Sequence, residues 1–473
     1  MAREPISAYQ YYMSINDTAK AANYDSAAAD GSEENPYAIR DWYDIYNVYH
    51  SKVLQNAGSG YSFILVNDID FNKVSSRRLN ALQKIEGTPQ LIVKGFFDFN
   101  GHSFKNIIFR NITGNVDNSV GTGNVGNADY LGCLIDIYCN PSTNATYNKR
   151  NPTIIKNVKI ENFIINESYP NNHVNVAGNY RKTAAGCSIF YIYHNLDHTV
   201  IIENTDVNVT YNITNYAKDE LYVNSDDEHY NLYSCGLFRF ALNYPVLFKN
   251  VFVKFSGIVR HAIAADGNRP PMYPTCAYPL NILCPNGGNT LRYNTGNDDT
   301  LNAQYIDCTF DFNDFIIQMP IDLAYGNIYS QFGFTDKCSA YNLTTLFPYS
   351  DKSSDSIHIT GHLQILLPTK EEIEANPLSF GVLYLFKSST NTNVLWDARI
   401  SIMDDVATPN FKIRSSVGTK LFMNKDNIDP VVLENNLMVD DDPSGSGIFM
   451  CTTEQLKDED FLNKNGFFYL RTT

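Results

Sequence analysis

The 473-residue sequence predicts an all-β solenoid, a single-stranded parallel β-helix in which short strands stack coil upon coil. Composition, an internal repeat and the alternation of apolar residues within that repeat each point there. Charged residues are only 18% of the chain, whereas Asn, Thr, Ser, Tyr and Phe are prominent. Long helices draw on Ala, Leu, Glu and Lys, so this mixture disfavours them. It suits strands of aromatic and β-branched residues joined by Asn-bearing turns. With 44% apolar content the chain can bury a large core. Solenoids also escape the usual division of such a length into several compact domains.

The repeat centres on asparagine. Ser103-Phe-Lys-Asn106-Ile-Ile-Phe, Ile154-Ile-Lys-Asn157-Val-Lys-Ile, Ile201-Ile-Glu-Asn204-Thr-Asp-Val and Leu247-Phe-Lys-Asn250-Val-Phe-Val align without gaps, at intervals of 51, 47 and 46 residues. Tyr305-Ile-Asp-Cys308-Thr-Phe-Asp keeps the shape 58 residues further on, with Cys308 at the asparagine position. Between these segments lies a second family of strands, each near a glycine: Gly132-Cys-Leu-Ile-Asp-Ile, Gly186-Cys-Ser-Ile-Phe-Tyr-Ile and Gly236-Leu-Phe-Arg-Phe. The couplet recurs as Gly381-Val-Leu-Tyr-Leu-Phe and Val394-Leu-Trp-Asp-Ala-Arg-Ile.

Val246, Phe248, Val251, Val253 and Phe255 alternate with a slip at Asn250, which sends one set of side chains inward. A strand of about six residues cannot bury that face alone; it needs a copy stacked about 4.8 Å above and below. The slip marks a sharp bend, and asparagine tolerates the left-handed conformation such a bend needs. Asn106, Asn157, Asn204 and Asn250 are therefore expected in one column, a structural ladder of hydrogen-bonded side chains without a catalytic role. A β-sandwich would show hairpin turns and no register between distant segments. A β-propeller, with a period of about 40 to 50 residues, is the alternative fold. The single Asn bend and the unequal insertions favour the solenoid.

A net charge of −15 gives the chain no general attraction for nucleic acid or anionic membrane, because phosphate binding needs clustered Lys and Arg. The nine cysteines form no C-x-x-C pair; Cys133, Cys187 and Cys235 each touch a glycine and open an apolar strand, so they read as small buried hydrophobes. The N-terminus lacks the apolar stretch of a secretory signal, and no run of 18 apolar residues suggests a membrane span.

Chemistry is sparse in the sequence. There is no G-x-G-x-x-G, Walker loop or G-x-S-x-G, so no nucleotide cofactor and no strained serine nucleophile are expected. His194 and His198 are spaced for zinc only on a helix, and Asn195-Leu-Asp197 argues for a loop. His358 and His362 fall on an expected strand and read as exposed or hydrogen-bonded histidines. Asp226-Asp227-Glu228-His229, Asp298-Asp299 and Asp440-Asp441-Asp442 lie in insertions, where adjacent acids are usually solvated. No catalytic residue, metal ligand or cofactor is assigned, and the expectation is a protein that is not an enzyme.

The ends carry a resemblance. Glu34-Asn-Pro-Tyr-Ala-Ile39 leads into Trp42, Ile45, Tyr46 and Tyr49, spaced as a short amphipathic helix. Phe63-Ile-Leu-Val-Asn-Asp68-Ile-Asp70-Phe follows, then Gly95-Phe-Phe-Asp98-Phe-Asn-Gly101-His-Ser-Phe104-Lys-Asn106-Ile. This order resembles the opening of right-handed parallel β-helix proteins of the GLUG-repeat and bacterial adhesin kind. The resemblance covers roughly residues 34 to 473, and Gly236-Leu-Phe keeps part of the signature. It implies residues 34–60 as an N-terminal capping helix, 61–450 as the β-helix with loop insertions, and 451–473 as a C-terminal cap. Residues 1–33 lie outside it and are expected as an extended arm, an attachment segment through the tyrosines at 9, 11 and 12.

An adhesion-type body without a secretion signal, using reduced cysteines, fits a virion component that leaves its host by lysis. The expected function is a structural and receptor-binding part of a bacteriophage: a tail fibre, tailspike or head fibre. Its partners would be other virion proteins at the arm and a host surface glycan or protein at insertions such as 112–130, 140–152 and 262–300, with neither nucleic acid nor membrane insertion involved. Homo-oligomerisation stays open. A bacterial surface adhesin and a polysaccharide depolymerase are the alternatives, the last resting on the paired carboxylates that β-helices can display.

Overall fold

The computed structural model describes residues 3–49, 61–73, 91–110, 131–139, 152–168, 186–194, 200–215, 236–240, 246–260, 303–318, 357–366, 392–403, 419–430 and 447–465, with short pieces at 183–184, 231–232, 283–284, 381–384, 411–414, 438–439 and single residues 432 and 467. The chain is mostly strand with few helices. Among the described residues nineteen strands join one hydrogen-bonded network. Every strand pair among the described residues is parallel, whether partners are as near in sequence as Thr392 and Thr419 or as far as Val246 and Ala303. Propeller blades are antiparallel, so the alternative fold is excluded.

Two inward columns show why the sequence alternates as it does. On one face Tyr37, Phe63, Phe97, Ile155, Ile202, Phe248 and Tyr305 are register partners in succession. On the next face the succession is Ile69, Phe104, Ile160, Val207, Val253, Phe310, Ile359, Trp396 and Met423. All of them are buried. A third set, Leu131–Cys139, Gly186–His194 and Gly236–Phe240, contains the glycine-linked strands and adds Ile137, Phe190, Ile192 and Phe238 to the same core. Each strand thus hides its apolar side only because its neighbours are present above and below.

The bend between the first two faces falls at Asn157, Asn204 and Asn250, with φ of 55°, 51° and 51°. Two expectations about this corner need correction. Cys308 is not at the bend: it is the register partner of Val251 and is buried, while Asp307, at φ 52°, takes the corner. Asp tolerates the left-handed region as Asn does, and a cysteine gains nothing there. Asn106 is not at this corner either. Lys105 pairs with Glu161 and Ile107 with Phe163, so Asn106 lies opposite Asn162, on the second face. The coil of residues 91–110 turns earlier, at Asn100-Gly101.

The described part of the segment expected over 1–33 as an extended arm, residues 3–33, is folded together with residue 34 against the first strands. Helix α1 (Ala8–Ser14) is closed by a capping box of Ser7 and Gln10, and α2 (Thr18–Ala21) is capped by Asp17. Ala8, Tyr12 and Ala21 pack on Ala38, Ile64 and Val66, the outward residues of the first strands. Ile6 and Ala8 run antiparallel to Tyr37–Ile39, through Ala38 N–H to the Ile6 carbonyl at 2.9 Å and Ala8 N–H to the Pro36 carbonyl at 2.7 Å. The first strand edge is therefore paired, which blocks edge-to-edge recruitment of another chain. The stretch Asp44–Tyr49 is a π-helix whose Ile45, Val48 and Tyr49 enter the core. Asp44 is fully buried but held in a fork by Arg40 at 2.7 and 2.8 Å, as a buried carboxylate must be. At the other end α3 (Thr453–Lys457) and α4 (Glu459–Lys464) set Leu456 and Leu462 against Leu395 and Phe422, on the outside of the last rungs.

Candidate functional site

Because the inward positions are filled by hydrocarbon, any chemistry has to sit on the outward positions and at the corners. Two kinds of polar column occupy them. At the corner, the Asn250 amide donates to Asn204 Oδ1 (2.8 Å), Asn204 to Asn157 Oδ1 (3.2 Å) and Asn157 to Asp98 Oδ1 (2.8 Å). On the second face Asn162 donates to Asn106 Oδ1 (2.8 Å) and Asn106 to Asp70 Oδ1 (2.9 Å). The expected single ladder of four is thus two ladders. An amide both donates and accepts, so it can continue a column, whereas a carboxylate only accepts and terminates it.

Removing Asn204 deletes two of these bonds and puts a Cβ-only side chain at positive φ. Asn204→Ala should destabilise by about 2–3 kcal/mol in urea unfolding. Asn204→Gly restores the backbone freedom and should recover the conformational part only.

The second arrangement lies on three successive rungs further along. Ile357–Leu366 alternates buried Ile357, Ile359, Leu363 and Ile365 with outward residues, and Gly361 at φ 87° bends it in the middle. His358 and His362 therefore face outward on opposite sides of that bend. His362 Nδ1 lies 2.9 Å from Asp314 Oδ1, and its Nε2 lies 2.7 Å from Ser401 Oγ. Asp314 has φ 49° in an irregularity of the strand Ala303–Gln318, where two residues oppose one on the next rung. That extra residue turns its carboxylate toward the histidine. Ser401 sits between inward Ile400 and Ile402 on Arg399–Met403, and exposed Arg399 is the register partner of His362. The side chain of Asp314 is 74% exposed and that of His362 is 24% exposed, so the line is open to solvent.

His358, by contrast, buries Nε2 without a hydrogen-bond partner. Burial pushes its imidazole below the ordinary value, against an upward pull from Asp397. The folded state therefore disfavours the proton that the unfolded chain takes up below about pH 6.5. Stability should fall as the pH drops through that region. His358→Leu should flatten the dependence, read from urea midpoints between about pH 7.5 and 5.

Other candidates resolve differently. Cys139, Cys308 and Cys451 are buried, and burial pushes the Cys308 thiol up to about 12, far from a reactive thiolate. The acidic stretches at 226–229, 298–299 and 440–442 lie outside the described residues, as do His198, Cys235, the insertion 112–130 and, apart from Leu283–Cys284, the insertion 262–300. The side chains of Cys133, Cys187 and His194 also lie outside them. Among the described residues no group of three or more His, Cys, Asp or Glu is placed to hold a metal ion. No helix among them is long and apolar enough to cross a membrane.

Sequence reasoning passed over Ser401 and Asp314 and read His362 as an ordinary histidine. The signal was the register. Asp314-Phe-Ile-Ile and His362-Leu-Gln-Ile each place a polar residue just past a bend, and Ser401 follows one rung later. Comparison with protein-family models, curated proteins and solved structures finds no match to this chain.

Proposed function

We propose that the chain is a right-handed parallel β-helix serving as a structural and receptor-binding component of a bacteriophage virion, in a tail fibre, tailspike or head fibre. The observation that carries this reading is the unbroken parallel succession from Tyr37 to Cys451, carried from rung to rung by the two overlapping inward columns. Such a stack has one long core and transmits load along its axis, because each rung is bonded to both neighbours. The resemblance to adhesin-type β-helices supplies the surface-binding role. The folded segment 3–34 supplies a flank through which other virion proteins would hold the rod, and the insertions supply contacts to a host glycan or protein.

Immunogold labelling and mass spectrometry of particles released from lysed cells that make the chain test this. The expected result is one labelled locus on each particle, with the purified protein competing for particle adsorption. A chain that sediments only with the cell envelope, never with particles, would overturn it.

A further inference from the structure

We infer that Ser401, His362 and Asp314 form a serine hydrolase site on the outside of the rod, acting on short acyl esters carried by an extended polyhydroxy substrate such as an O-acylated glycan. A carboxylate on Nδ1 fixes the imidazole in the tautomer whose Nε2 accepts a proton, and Nε2 is the nitrogen 2.7 Å from the serine hydroxyl. Both contacts lie within the reach general-base catalysis needs. The alternative is a structural ladder like the asparagine columns. Those columns repeat one amide and end on an acid, so each link only holds the next. Here three chemically different groups follow in the sequence acid, base and hydroxyl, on adjacent rungs 48 and 39 residues apart. A holding column has no need of that order.

The reaction closes on these atoms. Ser401 Oγ adds to the ester carbonyl as its proton moves to His362 Nε2. The tetrahedral adduct collapses, the C–O bond to the sugar breaks, and the imidazolium returns the proton to the departing alkoxide. Water, deprotonated by the same nitrogen, then cleaves the acyl-serine to a carboxylic acid and free Ser401. Asp314 touches no reacting atom; it is a positioning residue. The open setting favours a small acyl group on a polymer that lies along the face. It favours an ester over an amide, because an alkoxide leaves with less assistance than an amine. Arg399, the register partner of His362 on the next rung, brings a cation to the surface the substrate would cross.

The assignment is independent of where the chain is carried, so it can fail while the virion reading stands, and the reverse. The full chain would be treated with a fluorophosphonate probe and digested for mass spectrometry, and separately incubated with p-nitrophenyl acetate and with an O-acetylated polysaccharide. The expected result is a phosphonate adduct on Ser401 and acetate release that Ser401→Ala reduces to the buffer rate. Asp314→Asn should lower kcat by about a hundredfold or more with KM little changed, the mark of a lost tautomer rather than lost binding. Unchanged melting temperatures would show that both variants keep the fold. An adduct on another serine, no adduct at all, or equal acetate release from the wild type and Ser401→Ala would each overturn the assignment.

Discussion

Phe190→Ala should lower the unfolding free energy by about 3–5 kcal/mol, one of the two largest effects of a single substitution in this chain. Phe190 is fully buried where the three faces converge. It stacks on Phe238 of the next rung, with centroids 5.3 Å apart and planes at 17°, and lies near-parallel to Phe104 of the second face at 6.1 Å. Phe97 and Phe99 meet it edge-on at 6.2 and 6.3 Å. Truncation removes the transfer energy of the ring and leaves a void that the four surrounding rings cannot close. Equilibrium unfolding in guanidinium reads the loss. Hydrogen exchange should show it concentrated in the coils around residues 97–104 and 236–240, since rungs communicate through nearest neighbours. A loss under about 1 kcal/mol would mean that this junction is not close-packed.

Gly257→Ala should cost a comparable amount for a different reason. Gly257 has φ 91°, and a Cβ built there overlaps the Tyr211 carbonyl oxygen of the adjacent rung. The obstacle is backbone inside a ladder, so it cannot rotate away as a side chain would. The strain of the left-handed conformation, about 1–2 kcal/mol, is added to the displacement of a hydrogen-bonded rung, for a total on the order of 3 kcal/mol. Gly101→Ala separates the two parts. Its φ is 78°, but a Cβ there meets nothing within 4 Å. That variant should lose only the conformational part, about 1–2 kcal/mol. Equal losses from both, measured side by side by urea denaturation, would refute the overlap argument.

The parallel stacking was legible because alternation and the recurring asparagine are both local signals with a physical cause. Phe248, Val251 and Val253 read correctly as one inward set across a bend, and their partners Ile202, Thr205 and Val207 lie in register with them. Legibility failed wherever register had to be guessed by one residue. Asp307 and Cys308 are adjacent, and a gapless alignment on Tyr305 chose the wrong one. Asn106 resembles the corner asparagines in its flanks, yet the coil of residues 91–110 spends its turn at Asn100 and Gly101, so the lysine-asparagine pair falls later on the face. The folded segment 3–34 was hidden because its contacts, Ala8, Tyr12 and Ala21 with Ala38, Ile64 and Val66, are with outward residues that carry no repeat signal. The Ser401–His362–Asp314 line was least legible of all. Its members are separated by coils of unequal length, and no spacing rule joins them until the rungs are matched.

The direction of the amide columns has a consequence for how the molecule comes together. Every asparagine gives its proton to the coil made before it, down to a carboxylate at Asp98 or Asp70 that needs nothing further. A growing polypeptide, emerging N-terminus first, therefore always presents a waiting acceptor to the coil that follows, and building in the opposite sense would start from an unanchored donor. Pulse-labelled exchange during refolding should show protection arriving around Asn157 ahead of Asn250, like courses of brick laid upward from a finished footing.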